Sequence, residues 1–263
     1  MRLAGRTAIV AGAANGIGRA ICLELAREGA AVWACDVLGP ELEETRRAVE
    51  AAGARPGHAA IPARAAIVDV RDVAAVTAFV GRAEAETGRV DVLVNTAGGV
   101  AGQVNRPVEE VSDADWRVIF AINLDGAFHF TRAVAPPMKR ARRGSIVNIS
   151  SGAGRSYSLT GIQAYASAKA AQIGFTRQLA HELGPFGITA NCIAPGFILS
   201  NPTSIRQWDS YGSDGQRGIV NGIAMRRLGT PGDIANGVLF FAAEESSWVT
   251  GQTIAIDGGD ALL

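Results

Sequence analysis

Five consecutive residues pose the first chemical question. In Tyr165-Ala166-Ser167-Ala168-Lys169 a phenol and an ammonium stand four residues apart. On a helix that spacing puts both side chains on one face. A neighbouring ammonium favours phenolate, so Lys169 is expected to lower the Tyr165 pKa from its ordinary value of about 10. The pair would then pass a proton to and from an alcohol oxygen. This spacing is common in helices by chance, and it gains weight from its surroundings. The apolar run 145–149 reads as a strand and ends in Ser150-Ser151. Ligands sit at the carboxyl ends of strands in open parallel sheets, where a serine hydroxyl can hold a substrate oxygen beside the phenol. Asn123, within Ile122-Asn123-Leu124, is an amide amid apolar residues and needs a partner. A water-linked contact to Lys169 or a helix-packing hydrogen bond would supply one.

A second constellation lies near the amino terminus, where a strand-like run leads into Gly12-Ala13-Ala14-Asn15-Gly16-Ile17-Gly18 and then a helix. Glycines there let the backbone turn tightly and approach a pyrophosphate, which the helix N-terminus attracts with free N–H groups and its dipole. The next strand ends in Asp36. A carboxylate at that point accepts hydrogen bonds from adenosine ribose hydroxyls and repels a 2′-phosphate. No arginine or lysine follows closely to offset the repulsion, so NAD is expected over NADP.

Alternating strands and helices must position these groups. Strand-like runs fall at 7–11, 31–36, 65–70, 90–95, 145–149, 188–193 and 253–256. Helical stretches fall at 16–29, 41–53, 73–88, 113–138, 164–183 and 231–243, with an irregular, proline-containing stretch at 55–64. Near-continuous apolar strands separated by helices predict an α/β fold: one domain over residues 1–263, with a doubly wound seven-stranded parallel sheet covered on both faces. Apolar residues make up 48% and charged residues 19%, which suits a globular chain. Lysines plus arginines equal aspartates plus glutamates at 25 each, so bulk charge gives no reason to expect nucleic acid. Cys22, Cys35 and Cys192 are widely spaced, and His58, His129 and His181 lack metal-ligand spacing; no metal is expected. No run is long enough to span a membrane, and strand signals begin too early for a leader, so a cytoplasmic protein is expected.

The glycine spacing G-x-x-x-G-x-G, the Tyr-x-x-x-Lys pair and the strand-end serines together resemble the short-chain dehydrogenase/reductase family. Ala11 stands where the family commonly has threonine. Further matches run through the whole chain in order: Asp69-Val70, Asn95-Thr96-Ala97-Gly98, Asn191, the run 195–200 and Asp257-Gly258-Gly259. The resemblance implies a Rossmann fold and a catalytic set of Asn123, Ser151, Tyr165 and Lys169. Ser150 remains open as an alternative to Ser151, because the Ser151-to-Tyr165 interval is one residue longer than the commonest family spacing. It also implies cofactor contacts from Gly12, Asn15, Gly16, Ile17, Gly18 and Asp36. Asp69 and Val70 would meet the adenine; Asn95, Ala97 and Gly98 would follow the fourth strand. Pro195, Gly196, Ile198 and Ser200, with Tyr165 and Lys169, would hold the nicotinamide end.

Residues about 200–222 resemble the family's substrate loop. Trp208 and Tyr211 there, and Tyr157 before Tyr165, are expected to line an apolar or aromatic pocket with Ser151 and Tyr165. The expected activity is NAD-dependent interconversion of a secondary alcohol and a ketone, on a cyclic or aryl small molecule. A 3-oxoacyl-acyl-carrier-protein reductase is the alternative, favoured by the basic run 139–143. A non-catalytic NAD-binding sensor is a third reading, disfavoured by the intact catalytic set. Two long helices that pair across a two-fold axis in the family, and an apolar C-terminal end at 261–263, imply a homodimer or homotetramer.

Overall fold

The computed structural model describes residues 1–54 and 63–261. Seven parallel strands form one sheet in the order β3-β2-β1-β4-β5-β6-β7. They are β1 (Thr7–Ala11), β2 (Ala31–Asp36), β3 (Arg64–Ile67), β4 (Val92–Asn95), β5 (Gly144–Ile149), β6 (Ile188–Pro195) and β7 (Thr253–Ile256). The helices are α1 (Gly16–Arg27), α2 (Gly39–Gly53), α3 (Val73–Thr87), α4 (Asp113–Phe120), α5 (Gly126–Ala141), α6 (Gln163–Leu183), α7 (Pro202–Ser210), α8 (Gly212–Gly222) and α9 (Pro231–Ala242).

The period-2 alternation of each strand divides the interior in two. Ala8, Val10, Val92, Val94 and Val147 join Ile21 and Leu25 of α1, Leu42 of α2 and Val238 of α9 on one face. Ile9, Trp33, Leu93 and Ile146 point the other way, onto Phe79 of α3, Phe130 of α5 and Leu179 of α6. Because both faces are covered, strands with little polar content are stable here. The strand order reverses between β1 and β4, and that switch point opens a crevice at the strands' carboxyl ends.

The doubly wound seven-stranded fold is as expected, with four local differences. The third strand ends at Ile67, so Asp69 and Val70 lie beyond it. The fourth begins at Val92, not at residue 90. The helix expected over 113–138 breaks into α4 and α5 around a π-helical turn at Ala121–Asp125, which carries Asn123. Such a turn shifts the hydrogen-bond ladder by one residue and often marks a functional position. The fourth concerns residues 200–222, expected as a loop but formed by two helices, α7 and α8. Gly212, Gly215, Gly218 and Gly222 hide the second by lowering local propensity. The first announces itself by a capping box between Asn201 and Ser204 and by Pro202 in its first turn. Residues 55–62, including His58, and the expected apolar end at 262–263 lie outside the described residues.

Candidate active site

Tyr165 and Lys169 both lie on the first two turns of α6 and face the carboxyl edge of β5 and β6. The Tyr165 ring packs against Ile119, Ala164 and Ala168. Lys169 is buried at 3% exposure; its Nζ donates to the Ile149 carbonyl at 2.9 Å and to Gln172 Oε1 at 3.2 Å. The ammonium sits 5.9 Å from the Tyr165 ring centroid. Burial pushes the Lys169 pKa down to about 8. Burial also pushes the Tyr165 phenol above its ordinary 10, opposed by a hydrogen bond with the Ser151 side chain. The expected lowering of the phenol by Lys169 is therefore not the outcome. Desolvation of the phenol is the larger effect, and the ammonium spends its hydrogens on Ile149 and Gln172.

The two strand-end serines separate cleanly. Ser150 is buried, and its hydroxyl donates to the Lys169 backbone carbonyl at 2.7 Å. Ser151 caps the 3-10 turn Gly152–Gly154, accepting from the Ala153 N–H at 3.2 Å, and its side chain reaches the phenol. Ser150 thus ties the strand end to α6, and Ser151 is the serine that lies beside the phenol. Asn123, fully buried, accepts from the Gly99 N–H at 2.9 Å and donates to the Gly99 and Ile119 carbonyls at 2.8 and 2.9 Å. Its amide thus clamps the loop after β4 to the π-helical turn. A methyl group at Gly98 would press on both Asn123 Oδ1 and Lys169 Nζ, at 2.6 and 2.9 Å from its carbon. Gly98 is thus the floor on which the two polar groups meet.

The glycine loop adjoins this edge. Gly12 and Gly16 take φ values of +85° and +52°, which glycine adopts without strain. A Cβ at Gly12 would overlap the Ala97 backbone, one at Gly16 the Ser200 carbonyl, and one at Gly18 the Gly12 carbonyl. The loops after β1, β4 and β6 therefore converge at distances that only glycine permits. Asp36, at the end of β2, accepts from the Ala14 N–H at 3.0 Å and from the Val37 N–H at 2.7 Å. The Arg19 guanidinium, the nearest cation in the loop's sequence, is held by the Ala14 and Glu41 carbonyls, Thr45 Oγ1 and Glu44.

A family model described as enoyl-(acyl carrier protein) reductase matches residues 12–260. The chain is 38% identical to (2S)-[(R)-hydroxy(phenyl)methyl]succinyl-CoA dehydrogenase subunit BbsD of Thauera aromatica, over all of this chain and 99% of that one. It is 37% identical to the 3-oxoacyl-[acyl-carrier-protein] reductase FabG of Thermotoga maritima, over 98% of this chain and 99% of that one. The solved structure of NAD+-bound xylitol dehydrogenase superposes with a TM-score of 0.89 at 30% identity, over 98% of this chain and 100% of that one. The chain belongs to the short-chain dehydrogenase/reductase family.

Members of this family are oxidoreductases that bind nicotinamide cofactors, and the residues present fit such a group. The glycine cradle leaves no room for a side chain between the loops after β1, β4 and β6, and α1 begins at Gly16 with no side-chain cap on its first N–H groups, which suits an anionic pyrophosphate. Asn15 and Ile17 lie in this cradle, and Ile17 also packs onto the core behind it. Ala97 lies opposite Gly12, and Ser200 opposite Gly16. Pro195 ends β6; Gly196 follows, its N–H bonded to the Ile256 carbonyl at 3.1 Å, and Ile198 bridges to Gly229.

Other sequence-expected residues also make contacts within the protein. Asn95 Nδ2 donates to Asn148 Oδ1 at 2.8 Å and so braces β4 against β5, while its buried Oδ1 has no hydrogen-bond partner among the described residues. Asn191 donates to the Val249 carbonyl and accepts from the Gln252 N–H. The Asp69 carboxylate is paired with Arg71, and Val70 packs against Gly126. Trp208 and Tyr211 pack on Phe197, with ring centroids 5.7 and 6.1 Å away, fastening α7 and α8 to the end of β6. Tyr157 is 78% exposed. Sequence reasoning misses Gln172. Its signal is a polar side chain three residues beyond Lys169, on a helix face otherwise facing the sheet.

Among the described residues, no helix is long and apolar enough to cross a membrane, and no group of three or more His, Cys, Asp and Glu could hold a metal ion.

The buried lysine predicts a pH signature. Its folded-state pKa of about 8 lies below the ordinary 10.5. Between those values the unfolded chain keeps a proton that the folded chain has released. The contribution of Lys169 to stability is thus full above 10.5 and falls away as pH drops through 8. Relative to Lys169→Met, the parent should gain about 3 kcal/mol across that window, read from urea midpoints at matched pH. Parallel pH curves for the two proteins would refute it.

Proposed function

We propose that this short-chain dehydrogenase/reductase uses NAD(H) to interconvert a secondary alcohol and a ketone, with Tyr165 as general acid and base. The observation that carries the reading is the Lys169 ammonium, buried and anchored to the Ile149 carbonyl 5.9 Å from the centre of the Tyr165 ring, at the sheet's carboxyl edge beside Ser151. Bound nicotinamide would supply or accept the hydride. Ser151 holds the substrate oxygen, and Tyr165 gives or takes its proton. Negative charge that grows on the phenol faces Lys169 across the ring. Asn123 keeps the Gly98–Gly99 loop, and with it the floor under Lys169, in place. Asp36 favours NAD by accepting from ribose hydroxyls and repelling a 2′-phosphate. Arg19 is engaged by the Ala14 and Glu41 carbonyls, Thr45 and Glu44.

For the substrate, a cyclic or aryl secondary alcohol fits best. The Thauera relative carries a hydroxy(phenyl)methyl group in its substrate's name. In this chain Phe197, Trp208 and Tyr211 build an aromatic cluster under α7 and α8. The acyl-carrier reading is supported by the Thermotoga relative. The basic run does not favour it: Lys139 pairs with Glu182, Arg140 with Glu84 and Arg143 with Glu244, while Arg142 bonds the Pro185 carbonyl. The expected homodimer or homotetramer belongs to this proposal through Phe128 and Trp116, large apolar side chains left exposed on α5 and α4. Sedimentation showing only monomer would remove that part. The activity is tested by following absorbance of the reduced cofactor with a panel of aryl, cyclic and sugar alcohols and NAD, then the matching ketones with NADH and NADPH. Turnover of carbinols with NAD is expected. Turnover confined to acyl thioesters with NADPH would replace this reading by the second.

A further inference from the structure

Of the 25 basic residues in the chain only two are lysines, Lys139 and Lys169. Lys139 lies near the surface beside Glu182. Lys169 is therefore the one buried lysine, placed where arginine, which does not lose its proton, is not used. Its ammonium has three hydrogens to place, and two have partners: the Ile149 carbonyl and Gln172 Oε1. Gln172 is fully buried, three residues along the same helix face. A buried amide is costly unless its polar atoms are used, and the Gln172 Nε2 meets no hydrogen-bond partner among the described residues. An apolar side chain of similar length would fill this space with no orphaned group. What glutamine adds is a carbonyl dipole aimed at the ammonium. Only this orientation of the amide works, because turned over it would set donor against donor.

We propose that Gln172 is a positioning residue for Lys169, fixing its Nζ against Gly98 and holding it in the charged form. The proposal rests on the role given to Lys169 above. The groups that face this ammonium are few. From α6 itself come Tyr165 and Gln172; from β5, the Ile149 carbonyl. Gly98 and Asn123 meet it from the loop after β4 and the π-helical turn. From β6 comes Cys192, whose thiol is kept neutral by burial. No carboxylate pairs with Lys169 among the described residues, so neutral dipoles alone stabilise the cation. With Lys169 held near 8, the loss of one such dipole changes its charge within the working pH range.

The two-lysine composition makes the test direct. Protein labelled with 13C at lysine Cε gives one signal for Lys139 and one for Lys169, assigned by Lys169→Arg. Each is titrated by NMR in the parent, in Gln172→Leu and in Gln172→Glu. In Gln172→Leu the Lys169 midpoint should fall by about one pH unit, the scale of one hydrogen bond to a charged group. In Gln172→Glu it should rise, with Lys139 unmoved in both. The alkaline limb of kcat/KM should follow in the same directions. A Lys169 midpoint that stays put in both folded variants would overturn the proposal and leave the activity reading intact. Shifted midpoints in a protein with no turnover on any alcohol would uphold Gln172 and overturn the activity reading instead.

Discussion

Replacing Tyr165 by phenylalanine should lower turnover by about 100- to 10,000-fold while leaving the fold and cofactor binding in place. The ring, which packs on Ile119, Ala164 and Ala168, is kept in the variant. Only the hydroxyl bonded to Ser151 is lost, and with it the proton donor and acceptor. Because burial raises the phenol pKa, the group stays protonated at neutral pH. Ketone reduction, which needs the proton, should therefore run well there. Alcohol oxidation needs phenolate and should rise with pH, by about tenfold per unit below the pKa. Stopped-flow measurement of hydride transfer in both directions checks this. Near-parental turnover in a folded Tyr165→Phe protein would remove Tyr165 from the mechanism.

Cofactor choice should turn on one carboxylate. In the parent, NADH is expected to outperform NADPH in kcat/KM by about two orders of magnitude, since two like charges about 5 Å apart at a partly solvated site repel by about 3 kcal/mol. Asp36→Asn removes the charge and keeps an acceptor for one of the two N–H groups, Ala14 and Val37, that the separate oxygens of Asp36 now hold. The preference should then shrink to about tenfold or less. Asp36→Ala is less informative, since it also strips two loop N–H groups of their acceptor. A parent that prefers NADPH would show that a cation other than Arg19 serves the phosphate.

Several of these residues are legible in the chain alone. Tyr165 and Lys169 can be paired because four residues on a helix are a local distance. The glycine loop and Asp36 can be paired because a strand, a tight turn and a helix follow one another in the chain. Other features need partners distant in sequence. Nothing local distinguishes Ser150 from Ser151. One turns to the Lys169 carbonyl and the other to the phenol, because α6 packs against the end of β5. That Asn95 Nδ2 bonds Asn148 on the neighbouring strand is also decided only by the sheet. That Trp208 and Tyr211 share Phe197 as a partner is likewise decided only when α7 and α8 fold onto the end of β6.

The order of residues is enough to dictate the α/β alternation, the two-faced strands, the glycine turn and the shared helix face of phenol and ammonium. Each follows from backbone geometry over a few residues, which the chain carries wherever it is placed. Packing across the sheet sets the rest: the directions of the two pKa changes, the partner of Asn123 and the place of Gln172 against Lys169. Those depend on how much water neighbouring elements exclude and which dipoles they bring, and neither quantity exists until distant segments meet.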